Sequence, residues 1–428
     1  MNRRLTSLVA AVVVVCALGA SSCAEAGVNM AVAASHSKLY LFGSGISWGG
    51  QSSVQLAVNY YENNELKQLV GTSYAGIAVR NNLVFVADQT TGVGTLHVIR
   101  IDNILGTPVG TLLRSVTLSS GSNSLGIPTE VSVDAAGNVF VLESEGVNAK
   151  YAFVSPPIGG WGSSGTPGVS IRTLSSDTDS SPIADVAAFG VPGQAIFAHQ
   201  NIDLEDFAQQ SFVTTSGGSG VGPTKLGEND FQPRAITVYQ PNPDTYFAYV
   251  LNRLGTTYPT QYGNIAALNA ATHTRLAGHG SVALPENMIP LDIAAFRVSG
   301  TGYLGIVARS NEDSQQAWRY TLDDNGVPLA NTLTVYNIGS GDFSPEHQCA
   351  SSEDGTIFWF TNQQSGTVIA LSTSSWQLVN DQGANGHYNV EDTVRYIAAC
   401  SYVPEPSSAA AFAGMMLGLA SILRRKKS

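Results

Sequence analysis

Only 12% of the 428 residues are charged, so acidic and basic side chains that recur at a fixed place in the chain stand out. Glu130, Asp185 and Asp292 each directly precede a short apolar run: Val131-Ser132-Val133, Val186-Ala187-Ala188-Phe189 and Ile293-Ala294-Ala295-Phe296. Arg234, His347 and Arg395 hold a similar place ahead of Ile236, Cys349 and Ile397. After the next apolar run of each segment come Asp88, Glu143, His199, Asn201, Asn252, Arg253, Arg309 and Asn362. Carboxylates and amides are oxygen donors, and a calcium ion takes roughly six to eight of them. Glu130, Asp185 and Asp292, with Asn201 or Asn252, would supply part of such a set. The same residues would also suit a saccharide-binding mouth. Equally, they could tie turns together through side-chain to backbone hydrogen bonds.

Catalytic signatures do not accompany them. Gly43-Ser44-Gly45 and Ser216-Gly217-Gly218-Ser219-Gly220 are glycine-rich, but neither leads to a lysine in a strand-to-helix setting, as a phosphate loop requires. No zinc motif of the His-Glu-x-x-His kind is present, and the seven histidines are dispersed. The tryptophans sit in or beside apolar runs, where packing explains them better than sugar stacking. Cys349 and Cys400 are the two cysteines outside the N-terminal segment. In an oxidising compartment they are candidates for one disulfide, provided their Cα atoms come within about 7 Å.

The elements that position these residues repeat with a period of about 53, measured over six intervals from Ile77 to Ile397. Each copy has a first strand, a turn, a strongly apolar second strand, a polar loop and a third strand. First strands are expected at Gly76–Val79, Val131–Val133, Val186–Phe189, Ile236–Tyr239, Ile293–Phe296, Cys349–Ser351 and Ile397–Cys400. Turns such as Ala136-Gly137-Asn138 supply the positive φ of a tight hairpin. The seventh first strand has no partner after it. At the other end of the chain, Lys38–Phe42 and Ser53–Tyr60 read as a second and third strand without a first. Joining them closes a ring, which removes the open edges of a sheet array. The expected fold is all-β, a seven-bladed β-propeller over 27–402, with first-strand starts and second-strand ends converging on one mouth of the channel. The stretch Ile127-Pro128-Thr129-Glu130-Val131-Ser132-Val133-Asp134-Ala135-Ala136-Gly137-Asn138-Val139-Phe140-Val141 resembles repeats of the NHL and related propeller families.

The two ends carry processing signals. Arg3 and Arg4, the apolar run Leu8–Leu18 and Ala24-Glu25-Ala26 have the order of a cleaved signal peptide over 1–26. Lipidation at Cys23 is a second route, but Ala20 stands where it wants a large aliphatic residue. At the C-terminus, Pro404-Glu405-Pro406 precedes an apolar stretch from Ala409 to Leu423 and the basic run Arg424-Arg425-Lys426-Lys427. Residues 403–428 thus read as a rigid spacer, a short membrane-competent helix and a basic cytoplasmic stop. This order resembles the PEP-CTERM sorting signal of Gram-negative envelope proteins, with Pro404, Glu405 and Pro406 matching its motif. The resemblance implies recognition by an exosortase-type membrane protease and delivery to the envelope or extracellular matrix, with membrane contact through the C-terminal helix before processing.

Losing both basic ends and Glu25 takes the net charge from −11 to about −16. Bulk charge of that sign argues against nucleic acid and anionic lipid as partners. The sequence therefore reads as an exported, non-catalytic binding module for polysaccharide or a surface protein. The alternative is a secreted, metal-dependent propeller hydrolase or lyase of the lactonase kind.

Overall fold

The computed structural model describes residues 28–402 apart from 45, 50, 64, 72, 90–91, 144–149, 175–179, 203–208, 217–223, 227–230, 255–261, 277–281, 287, 311–313, 341–347, 353, 363–365, 380–385 and 391. The predicted signal peptide, the sorting segment and His347 lie outside the described residues. Among those that are described, no helix is long and apolar enough to cross a membrane.

Seven sheets of four or more strands, with one further two-stranded pair, make up the described residues. The inner strands of blades 1 to 6 are Tyr74–Arg80, Pro128–Val133, Ser180–Ala188, Phe231–Asn242, Met288–Val298 and Cys349–Ser351. All contain or overlap the expected first strands. Each leads into an antiparallel second strand, as Pro128–Val133 does into Val139–Glu143. The fold is a seven-bladed β-propeller.

Blade 7 is composite, but its make-up differs from the expectation. Tyr396–Tyr402 is its inner strand, and Val28–Ala34 lies beside it as the second. Leu39–Gly43 is therefore the third strand and Ser53–Gln55 the fourth. The expected strand Ser53–Tyr60 is divided. Its second half, in Val58–Glu62, joins the edge of blade 1, running parallel to Val109–Thr117. Leu56 N donates to Leu39 O on blade 7, and Gly110 N donates to Ala57 O on blade 1, so the chain changes sheets between those two residues. The strand Val28–Ala34 is hidden in the sequence because it is mostly alanine and valine and follows the apolar leader. Alanine has weak strand propensity, yet Met30 to Ala34 are wholly buried here.

Each core cluster is shared by two neighbouring blades. Ile196 and Ala198 of blade 3 pack with Ala248 and Val250 of blade 4. Val307 and Ala317 of blade 5 pack with Phe358 and Phe360 of blade 6. Ala31 and Ala33 of blade 7 meet Trp359 and Val368 of blade 6. Middle strands are buried on both faces, which is why Val139 to Leu142 reads as an unbroken apolar run. All five tryptophans are buried. Trp376 stacks on Phe296 at 6.2 Å between ring centres and donates from Nε1 to Ala317 O. Packing between blades is their role.

Hairpin chemistry follows the sequence signals. Gly137 takes φ 81° in the turn of blade 2. Asp134 Oδ1 accepts from the amides of Ala136 and Asn138, and its Oδ2 accepts from Gly193 N of blade 3. One carboxylate thereby holds its own turn and the next blade.

Candidate functional site

First-strand starts and second-strand ends do share one end of each blade. Pro128 pairs with Glu143, Ser180 with Asn201 and Pro233 with Asn252. Just inside this mouth, the inner strands of blades 1 to 5 all break register, between Tyr74 and Ile77, Pro128 and Val131, Ile183 and Asp185, Pro233 and Ala235, and Pro290 and Asp292. A bulge re-aims the side chains at that point. Prolines tolerate it because the inner strand is a sheet edge facing the channel.

At this level, within the bulge in blades 1 and 2 and just after it in blades 3 to 5, lies a ring formed by the residue that precedes the first core position of each blade. It comprises Gly76, Glu130, Asp185, Ala235, Asp292, Gln348 and Tyr396 in blades 1 to 7. The sequence-predicted set mixed two layers. Glu130, Asp185 and Asp292 belong to this ring, whereas Arg234 and Arg395 are one residue further toward the mouth.

The ring carboxylates bind backbone. Asp185 Oδ1 accepts from its own neighbour, Val186 N, at 2.6 Å, and Oδ2 accepts from Ile236 N of blade 4 at 2.8 Å. Asp292 repeats this with Ile293 N at 2.8 Å and Cys349 N of blade 6 at 2.5 Å. Gln348 extends the chain: its Oε1 accepts from Ile397 N of blade 7 at 3.2 Å. Its Nε2 donates to Glu130 Oε1 of blade 2 at 2.5 Å, linking blades that are not neighbours. The expected site included His347 and not Gln348; the place of Gln348 directly before Cys349 was the available signal. Gly76 fills the ring in blade 1 at φ +94°. A Cβ there would lie 2.8 Å from Glu130 Cα, so only glycine lets the two inner strands approach this closely.

These acids are half-buried by surface, facing a narrow channel, while their carboxyls lie deep among protein atoms. Burial pushes Asp292 up to about 7, against the two amides that favour its charge. Burial, then the charge of Asp292, pushes Asp185 well above the usual carboxylate range. Burial, then Asp185 and Asp292, does the same to Glu130.

Among the described residues, no group of three or more His, Cys, Asp or Glu side chains is placed to hold a metal ion. Asn252 instead donates to Asn264 Oδ1 at 2.9 Å. Asn201 is a ladder residue of blade 3, its backbone paired with Ser180 and Gln210. Arg395 N donates to Ala34 O at the seam. Cys349 and Cys400 are both buried and are not joined in a disulfide. Cys349 holds the first core position of blade 6, equivalent to Ile397 of blade 7, and Cys400 lies three residues beyond that. At about 3.3 Å per residue the offset is about 10 Å along the strand, beyond disulfide reach.

Two further arrangements have the residue types of nucleophilic catalysis without its setting. Asp88, His97 and Ser115 form a hydrogen-bonded chain in blade 1, with His97 Nδ1 2.9 Å from Ser115 Oγ and Nε2 3.3 Å from Asp88 Oδ2. His97 and Ser115 are direct cross-strand partners. In blade 3, His199 reaches Thr214 on the adjacent strand at 2.9 Å. Gly45-Ile46-Ser47-Trp48-Gly49 has nucleophile-elbow spacing. It falls, however, between the strands Leu39–Gly43 and Ser53–Gln55, and among the described residues no helix follows Ser47.

Ring, bulge and closed seam together define a propeller whose channel wall is tied blade to blade by acidic side chains. No protein family and no curated protein matches the sequence. Among solved structures, a putative 6-phosphogluconolactonase from Bacteroides uniformis is similar at a TM-score of 0.52 and 14% identity, covering 87% of this chain and 99% of that one. A protein from Lactobacillus plantarum gives 0.46 and 14%, over 85% and 99%. AztD from Citrobacter koseri gives 0.42 and 10%, over 89% and 100%. The first of these likenesses shows the fold, and the fold alone.

Proposed function

We propose that this chain is an exported, exosortase-sorted protein of the cell envelope or extracellular matrix, whose propeller is a non-catalytic binding module for polysaccharide or protein. The observation that carries the binding reading is the engagement of the ring acids: each oxygen of Asp185 and Asp292 faces a backbone amide of its own or the next blade. Groups held in this way brace a scaffold and leave the mouth to recognise a ligand. Export and sorting rest on the order of charged, apolar and Pro-Glu-Pro segments at the two ends.

The sorting half is tested by Pro404→Ala with Glu405→Ala in the native host. The wild type is expected to lose its tail, read as the mass of the envelope or secreted form, and the variant to keep it. Equal masses would refute exosortase recognition. The binding half is tested on a glycan array and by envelope pull-down with the exported chain; silence in both would reduce the propeller to a spacer.

A further inference from the structure

Blade 4 departs from the ring pattern. Blades 2 and 5 carry Pro128-Thr129-Glu130 and Pro290-Leu291-Asp292 at the bulge, where blade 4 has Pro233-Arg234-Ala235. The ring acid is lost, and the bulged residue is an arginine. Register pairs Pro233 with Asn252 and Ala235 with Leu251, leaving Arg234 as the extra residue between them. Beside it, Arg253 on the second strand of blade 4 stands three residues past Val250, the partner of Ile236. Arg309 of blade 5 stands three past Ile306, the partner of Ile293. The two are thus at matching places on adjacent blades, on the mouth side of the ring.

The three guanidinium groups are close enough to act on one another. Burial, then Arg253 and Arg309, holds Arg234 below its ordinary value, and burial, then Arg309, does the same to Arg253. The Nε atoms of Arg234 and Arg253 are buried and have no hydrogen-bond acceptor. Among the described residues, neither arginine has a carboxylate partner. Like charges gathered with buried donors unmet oppose folding. An oxyanion would relieve both at once, and the planar fork of arginine matches it in geometry.

We propose that Arg234, Arg253 and Arg309 form an oxyanion site at this mouth that takes the carboxylate of an acidic saccharide. The saccharide part rests on the binding-module reading above; the arginine site does not. The net charge of the whole chain is negative, so long-range steering does not favour such a ligand and recognition must come from these short-range contacts.

Titration calorimetry of the exported chain tests this with tetragalacturonate, its methyl ester and sodium sulfate, using wild type, R234Q, R253Q and R100Q. Arg100 pairs with Asp102 on the surface and serves as the control. Wild type and R100Q are expected to bind the acid and ignore the ester. R234Q and R253Q should keep their thermal transitions and bind about 10- to 100-fold more weakly. Equal binding of ester and acid, or unchanged affinity in both variants, would overturn the proposal while leaving a binding module. Sulfate bound by wild type and lost in R253Q, with no saccharide bound, would uphold the arginine site and overturn its saccharide source. Silence with all three would overturn the site.

Discussion

Asp292 makes the stability of the propeller depend on pH in an unusual direction. An aspartate in an unfolded chain titrates near 3.9, whereas burial pushes Asp292 up to about 7. Between those values the folded protein holds a proton that the unfolded chain has released. Stability from this group is therefore fully present below about pH 4 and is lost as pH rises through about 7. The whole rise corresponds to about 4 kcal/mol, of which about 3 kcal/mol falls between pH 5 and pH 8. Because Asp292 is only half-buried by surface, solvent screening reduces that part to about 2–3 kcal/mol. A domain of about 375 residues unfolds with an entropy near 0.8 kcal/mol per degree, so Tm should fall by about 2–4 °C over the same interval. Asp185 and Glu130 are raised for the same reason and add to the fall. Asp102 and Asp354 are lowered and titrate below this window. Substituting Asp292→Asn sets an amide NH2 against one of the two backbone N–H donors, Ile293 or Cys349. That costs about 1–3 kcal/mol at every pH, but it removes the titration. D292N should thus be the less stable protein at pH 5 and show a shallower decline toward pH 8. Scanning calorimetry of both proteins at four pH values reads the difference. A wild-type Tm that stays level or climbs from pH 5 to 8, or a D292N curve parallel to it, would refute the reasoning.

Gly76→Ala should destabilise the protein by more than about 2 kcal/mol, since it adds a Cβ 2.8 Å from Glu130 Cα at φ +94°; denaturant unfolding measures it. Thiol titration of the denatured exported chain should count both Cys349 and Cys400 as free, and a count of zero would reverse the register argument. Removing calcium with a chelator should leave Tm unchanged, because backbone amides already face the oxygens of Asp185 and Asp292. Ending the chain before Tyr396 should remove the inner strand of blade 7 and expose Val28–Ala34 as an apolar edge; the expected result is aggregated protein, seen by gel filtration.

The repeat alone determined the seven blades, their first strands and the closure of the ring by both termini. Those features are written in local apolar runs and turn residues such as Gly137, which need no distant partner to be recognised. The tertiary structure decided what the charged residues do. Glu130, Asp185 and Asp292 have the composition of a calcium set, yet the oxygens of the two aspartates serve amides such as Ile236 and Cys349, more than fifty positions away. Whether a carboxylate meets an ion or a neighbouring blade depends on the approach of inner strands, which spacing along one strand does not express. The same is true of Arg234, Arg253 and Arg309, which gather through a bulge and a cross-blade register. Met30 to Ala34 are held in a strand by burial on both faces, although three of these five residues are alanine, which has weak strand propensity.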